Sequence, residues 1–202
     1  MRTYIDRVPY QGIACWPGDT CFEHQENEWE TVRVGAVTMS LHTGTHIDAS
    51  RHLVSESGSV DDIPDSTLCG PATVIDARGR EALSADLFAD VSTPRVLVRT
   101  DAWLDSSSFP MSFPLLTLDA ATLLTRRGVV LFGIDLPSVD AVDSKNLPIH
   151  HILMNAGITI CEGLSFDIAK VGVGDVELTI VPFVIKGADA APVRVWIENI
   201  SR

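Results

Sequence analysis

Residues 31–52 read TVRVGAVTMSLHTGTHIDASRH and join a strand pattern directly to a polar cluster. Residues 31–42 alternate small or polar side chains with apolar ones and are rich in Val and Thr, which predicts a β-strand ending at His42. The two β-branched threonines on either side of Gly44 disfavour a helix at this point. The segment therefore predicts a strand followed by a tight turn at Gly44.

The polar cluster has the pattern H-x-x-x-H-x-D-x-x-x-H, formed by His42, His46, Asp48 and His52. Imidazole nitrogen and carboxylate oxygen are ligands that suit zinc, manganese and iron. A turn at Gly44 would bring His46 and Asp48 back beside His42, and a helical turn beginning near Asp48 would place His52 on the same side. The pattern predicts a metal or catalytic site; the alternative is a polar loop that contains histidines by chance.

The rest of the chain alternates short apolar runs with helix signals. Strands are predicted at 71–77, 95–100, 129–135, 158–163, 176–186 and 193–198. Helices are predicted at 85–90 after Ser84, at 120–127 between Asp119 and Gly128, and at 144–157 with Pro148 near its first turn. Because strands dominate and helices fall between several of them, we expect an α/β fold with a mixed β-sheet, formed by residues 1–202 as a single domain.

Charge and composition exclude several classes of partner. The chain has 27 acidic and 15 basic residues and a formal net charge of -12, which argues against nucleic acid and anionic membranes because both favour a basic face. Apolar runs stay below the roughly 18 residues of a spanning helix, and the N-terminus lacks the apolar stretch of a signal peptide. We therefore expect a cytoplasmic protein.

The redox state of the four cysteines can be inferred from the expected cytoplasmic location. Cys15, Cys21, Cys69 and Cys161 form no C-x-x-C pair, and cytoplasmic cysteines are usually reduced. We interpret all four as thiols. A disulfide between Cys15 and Cys21 is the alternative.

Three more side chains outside the cluster are candidates for the site. His150 borders the apolar stripe of the helix predicted at 144–157, whereas His151 faces solvent. His150 is thus a candidate ligand, or a boundary histidine bonded to backbone. Glu162 ends an apolar strand and is either a ligand or a solvated strand end. Trp16, in a turn-forming run, either anchors a small core or stacks on an aromatic ligand.

Five segments together carry a resemblance to a known family. They are WPGDT at 16–20, HTGTHIDASRH at 42–52, GIDLPSVD at 133–140, CEGL at 161–164 and GADAAPVR at 187–194. In these segments the chain resembles the bacterial kynurenine formamidases, which belong to the metal-dependent cyclase superfamily of amidohydrolases. The resemblance extends from Trp16 to Trp196, and the histidine motif is its most specific part.

The resemblance implies a fold, a metal centre and an activity. The implied fold is the swivelling β/β/α type, usually as a homodimer. The implied metal ligands are His42, His46, Asp48, His150 and Glu162, with Asp48 shared where two ions bind. His52 matches the acid/base histidine, and Trp16 matches a residue that lines the substrate pocket. The implied cofactor is one or two divalent ions per subunit, zinc first and manganese second.

The implied reaction is hydrolysis of an N-formyl aryl amide, N-formyl-L-kynurenine, to L-kynurenine and formate in tryptophan degradation. A metal-activated hydroxide would attack, and His52 would act as general acid/base. One alternative is a hydrolase of the same superfamily that acts on another amide or on a cyclic imide such as isatin. The other alternative is a metal-binding protein without catalytic activity.

Overall fold

The computed structural model describes residues 2–54, 56–166 and 171–200. The described residues form strands β1 Arg2–Tyr4, β2 Glu23–Trp29, β3 Val32–Thr38, β4 His46–Asp48, β5 Cys69–Asp76, β6 Ala82–Leu83, β7 Arg95–Arg99, β8 Leu115–Leu116, β9 Leu131–Ile134, β10 Thr159–Glu162, β11 Gly174–Pro182 and β12 Ala190–Asn199. They also form α-helices α1 Asp65–Leu68, α2 Leu118–Arg126 and α3 Pro148–Asn155, and 3₁₀ helices Ser50–His52, Val60–Asp62 and Ala85–Phe88.

The main sheet has eight strands in the order β1-β12-β11-β5-β7-β9-β10-β4. A further pairing between β12 and β4 closes seven of these strands into a ring, and β1 lies outside it on β12. Strands β5, β7, β9 and β10 run parallel, and the remaining pairs are antiparallel. The predicted α/β class with a mixed sheet is confirmed, in a barrel-like arrangement.

Two apolar cores follow from the alternation of side chains along the strands. In β7, Leu97 packs into a core that takes side chains from every strand of the closed ring. Its neighbours Val96 and Val98 point the other way, into a second core shared with helices α2 and α3. All five residues of β7 are buried, as expected for a central parallel strand with both faces covered.

The strand predicted at residues 31–42 is wrong at its C-terminal end. The structure ends β3 at Thr38 and pairs it with β2 in a separate two-stranded hairpin whose fourteen strand residues are all exposed. His42 therefore lies in the turn that follows, not at the end of a strand. The strand β2 escaped prediction because its sequence EHQENEW has no apolar alternation.

The predicted helices exist in shorter or shifted forms. The segment predicted at 85–90 is the 3₁₀ helix Ala85–Phe88. Helix α2 is capped by Thr117 and not by Asp119, because the Thr117 hydroxyl accepts a hydrogen bond from the Ala120 N–H at 3.2 Å. Helix α3 begins at Pro148, since a proline disfavours helical geometry in the residue before it.

The interpretation of all four cysteines as thiols is wrong for two of them. Cys15 and Cys21 form a disulfide, whereas Cys69 and Cys161 are free. The turn that follows Cys15 folds back through a hydrogen bond from the Asp19 N–H to the Trp16 carbonyl. This brings the two Cα atoms to 5.4 Å, within the range that a disulfide spans.

Candidate metal centre and cavity

Strand β4 carries the centre of the predicted site. It lies between β10 and β12, with His46 opposite both Glu162 and Pro192. Ile47 points into the barrel core, so the alternation of a strand turns His46 and Asp48 to the opposite face. All three β4 residues are buried. The antiparallel register with β10 therefore sets Glu162 beside the histidine motif, over 100 residues away in sequence.

The turn before β4 is fixed by two glycines and a threonine. Gly44 and Gly163 both have positive φ, and a Cβ on Gly163 would lie 2.3 Å from the Gly44 carbonyl oxygen. The Thr45 hydroxyl donates to the Gly163 carbonyl at 2.5 Å and accepts from the Arg7 N–H at 2.6 Å. The turn returns the chain so that His42 Nδ1 lies 3.0 Å from Asp48 Oδ1, as the sequence predicts.

Helix α3 supplies His150 from the other side of the cluster. Asp140 accepts hydrogen bonds from the backbone N–H groups of Ile149 and His150 and from His150 Nδ1, the last at 2.7 Å. The other ring nitrogen, Nε2, then lies 3.4 Å from Glu162 Oε1 and 3.7 Å from Asp48 Oδ2. His150 is buried and His151 exposed, as their positions on the helix predict.

Three buried polar atoms at the centre of this cluster lie close to other polar atoms but form no hydrogen bond with them. Among the described residues, His46 Nε2 and both carboxylate oxygens of Asp48 are buried with no hydrogen-bond partner. His46 Nε2 lies 3.5 Å from both Asp48 Oδ1 and Glu162 Oε2. Buried polar atoms left unpaired cost free energy, and these nitrogen and carboxylate oxygen atoms are donors that suit a bound cation.

The spacing and the donor set fit a divalent metal ion. Metal–ligand bonds of about 2.1 Å place neighbouring ligand atoms about 3.0 to 3.4 Å apart, close to the separations in the cluster. Two groups of three have ligand atoms within 4.8 Å of one another: His42 with His46 and Asp48, and Asp48 with His150 and Glu162. Asp48 belongs to both groups. The residues of either group could therefore hold a divalent cation.

The charge balance of the cluster also favours a cation at its centre. Burial lowers the pKa of His150, but the carboxylates of Asp140, Asp48 and Glu162 outweigh it and raise the pKa to about 12. Burial also lowers the pKa of His42, but the carboxylates of Asp48 and Asp189 outweigh this effect and raise the pKa to about 10. Burial raises the pKa of Glu162, but the contacts with His150 and His46 have the larger effect, so the pKa lies below its usual value. A bound divalent cation supplies the positive charge that these protons otherwise supply.

His52 lies at the edge of the cluster, on the 3₁₀ helix after β4. Its ring centroid is 4.4 Å from that of His42 and 5.9 Å from that of His150. Burial lowers its pKa, and nearby Asp48 offsets this only in part, so its neutral form is favoured. A third group of possible ligands, His42, His52 and Asp189, is equally close. Geometry alone therefore allows His52 to be either a ligand or an acid/base residue.

A cavity of about 480 Å³ opens over the cluster, within the usual range for small-molecule sites. The residues that line it include His42, His46, His52, His150, Glu162 and Asp189. Trp16, Trp103 and Phe109 contribute aromatic walls, and the rings of Trp16 and Phe109 meet edge to face at 5.4 Å. Trp16 thus lines the cavity, and the segment 101–118 contributes the other two aromatic side chains, Trp103 and Phe109.

Two aspartates at the site were not singled out from the sequence. Asp140 holds His150, and Asp189 contacts His42 and His52. Both lie in segments that carry the family resemblance, 133–140 and 187–194. Nothing in the local pattern distinguishes them from surface aspartates, since their partners are distant in sequence.

Comparison with known proteins gives a family and close relatives. A family model described as "Putative cyclase" matches residues 8–141. The kynurenine formamidase of Geobacillus thermodenitrificans is 41% identical over 195 residues, covering 93% of this chain and 92% of that protein. A kynurenine formamidase of Bacillus thuringiensis is 40% identical over the same coverage.

Solved structures share the fold. A chain titled as a potential metal-dependent hydrolase with cyclase activity has a TM-score of 0.86 at 25% identity, with 100% of this chain and 99% of that chain covered. Isatin hydrolase A from Labrenzia aggregata has a TM-score of 0.85 at 23% identity, with 100% and 94% covered. At that identity the second likeness concerns the fold alone.

Proposed function

Because the chain belongs to the "Putative cyclase" family and is about 40% identical to kynurenine formamidases over nearly its whole length, we propose that it hydrolyses N-formyl-L-kynurenine to L-kynurenine and formate. It is a metal-dependent hydrolase. The observation that carries the proposal is the buried cluster beside the cavity, in which His46 Nε2 and both Asp48 oxygens lack partners among the described residues and to which the cavity-lining residues His42, His46, His150 and Glu162 belong. The same cavity is lined by Trp16, Trp103 and Phe109, whose aromatic surface suits an aryl amide.

We assign the metal ligands from this cluster. The proposed ligands are His42, His46, Asp48, His150 and Glu162. Asp48 would be shared between two ions, which its membership of both ligand groups supports. We propose zinc, with manganese as the second candidate, because imidazole and carboxylate ligands accept either ion. When bound, such an ion lowers the pKa of water and polarises a carbonyl oxygen.

The proton transfers fall to His52. A water molecule must lose a proton as it adds to the formyl carbon, and the aniline nitrogen must gain one as the C–N bond breaks, because an anilide anion is a poor leaving group. His52 lines the cavity beside the cluster, and burial lowers its pKa, which favours the neutral imidazole, so it can accept the first proton and deliver the second. General acid/base catalysis of this kind contributes about 10²–10⁴-fold in rate.

Trp16 is proposed to hold the aryl ring. Its indole lines the cavity and meets Phe109 edge to face, which leaves aromatic surface for a ligand ring. We expect Trp16→Ala to raise KM for N-formyl-L-kynurenine about fivefold, since a stacking contact contributes about 1 kcal/mol and each 1.36 kcal/mol is a factor of ten, and to change KM for formamide by less than twofold. Steady-state kinetics on both substrates measure this. Equal changes would make Trp16 a structural residue.

Asp140 tests the proposed role of His150 as a ligand. Its carboxylate fixes the imidazole with Nδ1 turned away from the cluster, and residues that orient ligating histidines typically contribute 10- to 100-fold in metal affinity. We expect Asp140→Asn to weaken zinc binding by that factor, measured by competition with a chromophoric chelator. Unchanged affinity would remove His150 from the ligand set.

One experiment tests the reaction and its metal dependence together. The purified protein is analysed for metal, and kynurenine release from N-formyl-L-kynurenine is followed by absorbance before and after chelation, with isatin as the second substrate. We expect bound metal, formyl hydrolysis that chelation abolishes, and recovery on adding zinc or manganese. Metal-dependent turnover of isatin alone would support the alternative function, for which the shared fold of isatin hydrolase A is the present argument.

The assembly and location are also proposals. We propose a homodimer, supported by the hairpin β2–β3, which exposes Trp29, Val32, Val34 and Val37 and is too small a sheet to be stable alone. Sedimentation measures this. No helix within the described residues is long and apolar enough to span a bilayer. We propose a cytoplasmic location, although the Cys15–Cys21 disulfide is unusual there, and cell fractionation tests it.

A further inference from the structure

We propose that Asp189 is a positioning residue whose single carboxylate holds His42 and His52 in one fixed arrangement. The inference rests on the proposed function, because it assigns His42 to the metal and His52 to proton transfer. It adds a residue that ties these two roles together.

The geometry places one carboxylate oxygen of Asp189 between the two rings. Asp189 Oδ2 lies 3.2 Å from His42 Nε2, a hydrogen bond, and 3.6 Å from His52 Nδ1. The second distance is longer than a hydrogen bond, but contacts of catalytic groups commonly shorten when substrate binds. The carboxylate is therefore an acceptor for both imidazoles.

The backbone around Asp189 is fixed to the strand that carries the cluster. Its carbonyl accepts the Ala49 N–H at 2.8 Å, and the next residue, Ala190, pairs with Asp48 across β12 and β4. The preceding Ala188 carbonyl accepts the Val60 N–H at 3.0 Å. Asp189 is thus held by main-chain bonds on both sides of the segment that contains Asp48 and His52. A half-exposed side chain on such a rigid support is suited to orienting its neighbours.

The arrangement determines which nitrogen of each histidine carries a proton. With Nε2–H of His42 donated to Asp189, His42 Nδ1 is the nitrogen that faces Asp48 at 3.0 Å. With Nδ1–H of His52 directed at the same oxygen, His52 Nε2 is the nitrogen left to accept a proton in the cavity. The tautomer of an imidazole is set by the hydrogen bond that its other nitrogen makes. Asp189 therefore selects the basic nitrogen of His52.

The test compares Asp189→Ala and Asp189→Asn with wild type, using Asp90→Ala as the control. Asp90 is an exposed aspartate outside the cavity lining, so its substitution removes the same charge without touching either histidine. Asparagine retains one acceptor oxygen and should partly rescue the alanine variant. All proteins are studied with zinc bound.

The first readout does not require turnover. ¹⁵N spectra of histidine-labelled protein at pH 8 report the tautomer of each neutral imidazole, and His52→Gln assigns the His52 signals. We expect His52 in the Nδ1–H form in wild type and in Asp90→Ala, and a shift towards Nε2–H in Asp189→Ala. A His52 tautomer that is unchanged by Asp189→Ala would overturn the inference.

The second readout is a series of ring-substituted formanilides. Asp189→Ala should lower kcat at least tenfold, with KM within threefold, and the loss should be greatest for the least acidic aniline leaving groups because these depend most on proton delivery. A uniform loss of kcat across the series would make Asp189 a structural residue. A loss of zinc with no further effect on kcat would make it a ligand. Absence of wild-type activity on every formanilide would contradict the proposed function, and the tautomer measurement would still decide the role of Asp189.

Discussion

Replacing Asp48 with asparagine is expected to remove both proposed ions and to lower kcat/KM by about a thousandfold or more. Asp48 is the one residue shared by the two ligand groups, so its loss weakens both at once. Metal activation of water and carbonyl contributes several kcal/mol to hydrolysis, and each 1.36 kcal/mol is a factor of ten in rate. Metal content by mass spectrometry and activity on N-formyl-L-kynurenine measure the two effects.

The fold should survive this substitution. Both Asp48 oxygens lack hydrogen-bond partners among the described residues, so the nearly isosteric asparagine breaks no hydrogen bond on which the metal-free fold depends. Burial raises the pKa of Asp48, but His42, His150 and His46 outweigh it and hold the pKa well below its usual value, so the buried carboxylate stabilises the metal-free fold at neutral pH. We therefore expect the metal-free variant to fold but to unfold at a lower temperature than metal-free wild type, because those imidazoles lose their charged partner. Wild-type metal content in Asp48→Asn would contradict the assignment of Asp48 as a shared ligand.

The central strands of the fold could be predicted from the sequence because burial on both faces leaves a continuous apolar run. RVLVR in β7 and LFGI in β9 are of this kind. The closure of the ring could not be predicted, because it depends on β4, a strand of three residues whose sequence HID carries no strand pattern. Its strand conformation is imposed by pairing with β10 and β12, a tertiary effect that local propensity does not contain.

The site residues likewise divide into those that the sequence predicts and those that it does not. His42, His46, Asp48 and His52 could be singled out because they are close in sequence, and the structure brings them together. Periodicity alone left the roles of His150 and Glu162 undecided. In the structure, the register of β10 with β4 places Glu162 beside the motif, and helix α3 places His150 there. Asp140 and Asp189 carry no local signal, since each acts through a histidine on another segment. Hydrogen bonds between distant segments are properties of the folded chain.

Replacing His52 with alanine is the second change with a large expected effect, and it separates proton transfer from metal binding. We expect kcat on N-formyl-L-kynurenine to fall about 10²–10⁴-fold, with metal content and KM near wild type, because His52 lies outside the two groups that share Asp48. His151→Ala is a matched control, since that histidine is exposed on α3 and should leave kcat unchanged.

The same variant decides between the two roles that geometry allows for His52. Its proximity to His42 and Asp189 would also suit a ligand, and a ligand's removal would lower metal content together with rate. An acid/base residue, by contrast, is needed most when the leaving amine is a poor one, so the rate loss in His52→Ala should shrink as electron-withdrawing substituents make the aniline more acidic. Stoichiometric metal with a loss that depends on the leaving group would place His52 at the proton transfer, and metal loss with a uniform defect would place it among the ligands.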